Sequence, residues 1–306
     1  MRKFFLVPTI LSLCMMLPFS AAAERIRFGV PPWPGVTVKT EVVCQILHVM
    51  GYDTEQLEVG PPVIFRGLTT GDVDAYVGVW IPLQNEMFQP LKEKGAIDVI
   101  GTNLDESGSS LCVPAYVWNA GVHSIGDLDK YADKFDHTIY GIEPGTGMNT
   151  TTDELIKRDV AGLGDWTQVG STTPVMLSAV MDRVKQKKWV VFHGWRPHWM
   201  NVKIDMKFLD GVSGTENLVS TGVVYTIASN DFEKRFPEAR AFLRRLYVKG
   251  ATQSEWINDF AYEKQPAEKV AHAWIAGNLD TVASWLEGVR TVDGGSAIDA
   301  VRAAYE

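Results

Sequence analysis

Residues 25–51 read RIRFGVPPWPGVTVKTEVVCQILHVMG. From Arg25 to Val30, polar or small residues alternate with apolar ones, the period-two pattern of a half-buried strand. Pro31-Pro32-Trp33-Pro34-Gly35 interrupts that pattern, and Val36 to Met50 takes up a helical spacing that stops at Gly51. Strand, loop and helix in that order open a βαβ unit. The same grammar recurs downstream. Val63 to Thr70 reads as a helix, and Asp74 to Val79 as a strand broken by Trp80-Ile81-Pro82. Asp127 to Phe135 reads as a short helix, Thr138 to Ile142 as a strand, and Asn149 to Asp159 as a helix. Val175 to Lys187 is helical, Trp189 to Phe192 is a buried strand ending at His193-Gly194-Trp195, and Val223 to Ala228 is a further strand. Asp231 to Glu306 is nearly all helical in pattern. Strands alternating with helices predict α/β layers with largely parallel sheets.

The composition is that of a globular chain: 46% of the 306 residues are hydrophobic and 22% charged. With 37 acidic against 29 basic residues the net charge is −8, the wrong sign for gripping phosphate backbones, so nucleic acid is not an expected partner. Residues 1–23 read as a signal peptide: Arg2 and Lys3, an apolar run from Phe4 to Phe19, and Ala21-Ala22-Ala23 as the cleavage site. Cleavage near Ala23 predicts a soluble exported protein. It also removes basic residues only, leaving the mature chain more acidic. Cys44 and Cys112 remain, able to pair in an oxidising compartment or to stay as buried thiols. A mature chain of this length exceeds one ordinary core, which predicts two lobes.

Trp33, Trp80 and Trp195 are each expected in a loop just beyond a strand, beside Pro or Gly. In open α/β sheets the ligand crevice lies outside the carboxyl ends of the strands. A single Trp is ordinarily a packing residue; three at equivalent topological positions point to a crevice lined by indole faces. A quaternary ammonium donates no hydrogen bond and is recognised by such faces, at about 2 kcal/mol per desolvated ring. Gly35-Val36 opens the helix after Trp33, and Thr146-Gly147 the one after Glu143-Pro144-Gly145. Helix N-termini of this kind favour carboxylates, and the Thr146 hydroxyl and His198 add hydrogen-bonding groups. Enzyme signatures are missing. Gly145-Thr146-Gly147 lacks the Lys-Ser/Thr ending of a P-loop, Gly211 to Gly214 has the wrong spacing for a nucleophile elbow, and His193 and His198 are not a helical zinc pair. Neither catalysis, metal nor cofactor is expected.

Phe28-Gly29-Val30-Pro31-Pro32-Trp33, Val79-Trp80-Ile81-Pro82, Tyr140-Gly141-Ile142-Glu143-Pro144-Gly145 and Gly194-Trp195-Arg196-Pro197-His198-Trp199-Met200 resemble the substrate-binding proteins of ABC transporters for glycine betaine, choline and carnitine. The likeness runs in order through nearly all of the mature chain. It implies a two-lobed periplasmic binding protein fold (type II) with two hinge-crossing segments, lobe 1 being 24–110 with 215–306 and lobe 2 being 111–214. It also implies a monomer that docks on an inner-membrane permease with a small quaternary amine held in an aromatic box. Trp33, Trp80 and Trp195 match that box, and Tyr116 is offered as the fourth wall, with Cys112 as the alternative placement. Choline-specific members carry an acidic residue where this chain has Gly35, so the expected ligand is a trimethylammonium carboxylate, carnitine or glycine betaine. Thr146 favours carnitine, as a partner for its hydroxyl. Gly35, Val36, Thr146, Gly147 and His198 complete the expected site. A choline-specific protein and a sensory quaternary-amine module are the alternatives.

Overall fold

The computed structural model describes residues 25–306; the signal peptide read over 1–23 lies outside the described residues. The opening stretch folds as its pattern predicts, into β1 (Arg25–Val30) and α1 (Pro34–Val49), with Pro34 at the first helical position where its missing N–H costs nothing. There follow β2 (Asp53–Glu58), α2 (Pro61–Thr70), β3 (Ala75–Ile81), α3 (Asn85–Glu93), β4 (Ile97–Pro114) and α4 (Ala115–Trp118). Next come β5 (Thr138–Gly141), α5 (Gly147–Lys157), β6 (Thr167–Gly170), α6 (Thr173–Lys185), β7 (Val191–Arg196), α7 (Met200–Lys203), β8 (Met206–Phe208) and β9 (Ser220–Ser229). The C-terminal part holds α8 (Phe232–Arg235), α9 (Pro237–Arg245), α10 (Gly250–Ile257), α11 (Ala267–Gly277), α12 (Leu279–Trp285) and α13 (Ala297–Tyr305). Asp129–Phe135, expected as a helix, is a 3₁₀ segment.

The strands join in the order β2-β1-β3-β9-β4-β7-β5-β6, with β8 on β4. The outer pairs β1–β2, β1–β3, β5–β6 and β5–β7 are parallel, but β3–β9, β9–β4, β4–β7 and β4–β8 are antiparallel. The expectation of largely parallel sheets therefore holds only at the two ends. The centre departs from it because β4 and β9 are long strands that run between the two parallel sets. β4 pairs with β9 from Ile97 to Ser109 and with β7 from Gly108 to Cys112, with register shifts along the β9 side. Those shifts accommodate the bend of a long strand that runs between the two parallel ends of the one sheet.

Two apolar clusters result. One draws on side chains from Ile26 to Ile100 and from Ile227 to Val301, the other on those from Leu111 to Leu218. The fold is thus two-lobed α/β, its lobes connected by crossing strands. Cys44 lies in the first cluster and Cys112 in the second, both buried free thiols, so they do not pair. Burial pushes the Cys44 thiol up to about 12.

A buried polar knot lies between α1 and the crossing strands. Lys39 is 1% exposed and its Nζ donates to Asn103 Oδ1 at 2.6 Å. Asn103 Nδ2 in turn donates to Thr226 Oγ1 at 2.9 Å and Val77 O at 3.0 Å. One ammonium so links α1 to β4, and through the Asn103 amide to β9 and β3. Desolvation lowers the Lys39 pKa to about 7.

Candidate functional site

Trp33 is the residue before α1, in extended conformation, and its carbonyl accepts from both Val36 N and Thr37 N at 2.9 Å. That turn fixes the indole at the mouth of the helix. Trp80 and Trp195 were expected beyond their strands; they are instead the penultimate residues of β3 and β7. The strands run further than their apolar stretches because β9 pairs with Trp80 and β4 with Trp195. All three rings are half-buried and line one apolar cavity with Gly35, Val36, Thr146, Gly147 and His198. Its empty space, mouth included, is about 590 Å³. Trp33 packs against the first cluster and Trp195 against the second, so the cavity opens between the lobes.

Tyr116 is elsewhere. It sits on α4 against the second cluster, its hydroxyl donating to Lys188 O at 2.5 Å and Lys187 Nζ 5.0 Å from its ring centroid. Cys112, the alternative placement, is fully buried within β4 and does not line the cavity either. The remaining walls are aliphatic and amide groups: Ile142, Met148, Leu83, Ile257, Gln84 and Gln253. Sequence reading passed over them. Gln253 and Ile257 come from α10, far along the chain inside an ordinary amphipathic pattern, and carry no local signal.

The polar groups at the cavity are unspent. His198 is 2% exposed; Met200 N donates to its Nδ1 at 3.2 Å, so the neutral ring carries its proton on Nε2. That Nε2 has no partner among the described residues. Burial pushes the imidazole down to about 3, which keeps it neutral around pH 7. Thr146 holds the N-cap of α5, yet its hydroxyl makes no capping bond and is also buried without a partner. Gln84 Oε1 and Gln253 Oε1 are in the same position. Four buried polar atoms beside one apolar cavity are the pattern of a site that a ligand completes.

Two of the contacts between the two sides involve residues that line the cavity. Trp33 Nε1 donates to Glu143 Oε2 at 3.3 Å. Glu143 is itself seated on the start of α6, accepting from Thr173 N at 2.7 Å and Thr173 Oγ1 at 3.0 Å. At Gly147, a Cβ would fall 1.6 Å from Leu83 O. Only glycine lets these two backbones meet. Among the described residues no cluster of His, Cys, Asp or Glu can hold a metal ion.

The family model for the substrate binding domain of ABC-type glycine betaine transport systems matches residues 24–277. The glycine betaine/carnitine transport binding protein GbuC of Listeria monocytogenes is 32% identical over 162 residues, 53% of each chain. The glycine betaine-binding periplasmic protein OusX of Dickeya dadantii is 22% identical over 290 residues, spanning 83% of this chain and 86% of that one. Among solved structures, an ABC-transporter choline binding protein in complex with choline superposes with a TM-score of 0.89 at 27% identity, covering 92% of this chain and 98% of that one. Lactococcal OpuAC, closed on glycine betaine, gives 0.77 at 26% identity, over 86% of this chain and 99% of that one.

Proposed function

The chain belongs to the family of substrate-binding domains of ABC-type glycine betaine transport systems, and from that premise we propose that it captures a trimethylammonium carboxylate, carnitine or glycine betaine, between its lobes. The family and its solved neighbours are transport binding proteins rather than enzymes. One observation carries the choice of ligand: Trp33, Trp80 and Trp195 share a cavity with an unpartnered imidazole N–H. The indole faces suit the methyl-covered cation, and the His198 Nε2–H and the first turns of α1 and α5 suit the carboxylate. Three rings at about 2 kcal/mol each supply much of the roughly 8 kcal/mol that micromolar binding requires. Carnitine is placed ahead of glycine betaine because the buried Thr146 hydroxyl has no protein partner.

Lobe 1 is assigned to 24–110 with 215–306 and lobe 2 to 111–214. The chain is exported with cleavage near Ala23, works as a periplasmic monomer, and delivers its ligand to an inner-membrane permease. Calorimetric titration with carnitine, glycine betaine and choline tests the ligand. Carnitine and glycine betaine are expected to bind in the micromolar range or tighter, with choline at least about tenfold weaker for want of a carboxylate. No heat from any of the three rejects the cage, and choline as the tightest ligand transfers the site to the choline-binding alternative.

A further inference from the structure

We propose that Gln253 and Gly35 form a single specificity position, at which the Gln253 amide accepts a hydrogen bond from a hydroxyl on the ligand. The proposal rests on the trimethylammonium reading above. Gln253 is 2% exposed, lines the cavity from α10, and its Oε1 has no partner among the described residues. A buried acceptor left bare is costly, so a ligand that supplies a donor gains over one that does not. Carnitine and choline each carry one hydroxyl. Glycine betaine carries no donor at all.

The amide reaches this place because residue 35 has no side chain. A Cβ built on Gly35 would fall 2.7 Å from Gln253 Nε2, 3.2 Å from its Cδ and 3.2 Å from Ile257 Cδ1. Gly35 and Gln253 therefore occupy one volume between them. Any side chain at 35 moves the amide, and any shortening at 253 opens the space over the start of α1. The unspent Thr146 hydroxyl lines the same cavity. A hydroxyl can both donate and accept, whereas an amide oxygen only accepts, so the amide oxygens are the groups that require a donor from the ligand.

The experiment is a calorimetric series on the full mature chain with carnitine, glycine betaine and choline. Gln253→Leu keeps the bulk and deletes the acceptor. It is expected to lower the preference for carnitine over glycine betaine by about tenfold, whatever loss the two share. Gly35→Ala, which pushes the amide aside without removing it, is expected to move the same ratio in the same direction. Gln253→Glu keeps an acceptor but adds a charge that repels carboxylates, and is expected to raise choline relative to both other ligands by at least about tenfold. Wild-type protein that binds none of the three contradicts the cage on which this rests. Wild-type protein that binds, with carnitine to glycine betaine ratios unshifted in both Gln253→Leu and Gly35→Ala, overturns the assignment of Gln253 alone.

Discussion

At the scale of single residues, the tools that shape this molecule are burial and unpaired polarity. Lys39 shows what burial does to a charge. Its pKa falls to about 7 in the folded chain from an ordinary value of 10.5, so between those pH values the unfolded chain binds the extra proton. The contribution of Lys39 to stability is therefore fully present above pH 10.5 and is lost as pH falls toward 7. Replacing it by Met, of similar length and no charge, removes this dependence. Thermal unfolding of wild type and Lys39→Met across that window should show wild type gaining on the variant as pH rises, by a few kcal/mol on the order of magnitude. Parallel stability curves would mean that the ammonium is solvated or paired. His198 shows the other use of burial. Its ring is neutral with the proton on Nε2, so it offers a donor to the cavity and takes no part in titration near neutrality.

Elements position these residues, and here the sequence was legible in part. β1, α1, α2, α5, α6 and β9 follow their apolar periodicity, and the three Trp residues were traceable because Pro and Gly flank them. β4 was not. Residues 101–110 read GTNLDESGSS, a composition that argues for a loop, and they form a strand because β9 and β7 present edges on both sides. Pairing of that kind is a tertiary fact with no local trace. The same holds for α10, which brings Gln253 to Gly35 across most of the chain, and for Tyr116, whose neighbours Lys187 and Lys188 draw it away from the cavity. Glu143 belongs to this scale too, since it ties the start of α6 to the indole before α1. In Glu143→Gln the amide oxygen can still serve Thr173 N, but the NH₂ then faces the Trp33 N–H. Loss of that charge-assisted bond should weaken ligand binding by about 1–2 kcal/mol, seen as faster dissociation in stopped-flow fluorescence. A dissociation rate equal to wild type would show that the bond has no part in holding the ligand.

Across the whole molecule, the proposed capture depends on two lobes meeting around what they hold. β4 and β9 give the connection, and Gly147 lies against the Leu83 backbone where the two sides meet. A methyl group at 147 meets backbone on the far side and cannot be absorbed by a rotamer change. Gly147→Ala should therefore fold with an unliganded melting temperature close to wild type, yet bind at least about a hundredfold more weakly, because closure is blocked. Small-angle scattering with saturating ligand would show the variant staying more open than wild type. Wild-type affinity in that variant would place the closing contact elsewhere. Beneath the proposed capture lies one interaction, the attraction of indole faces for a permanent cation. Its most direct measure is calorimetry of glycine betaine against tert-butylacetate, which keeps the carboxylate and the three methyl groups but carries a carbon in place of the charged nitrogen. Three cation–π walls predict that the isostere without the cation binds at least about a hundredfold more weakly; equal affinities would mean that the cavity does not recognise the positive charge.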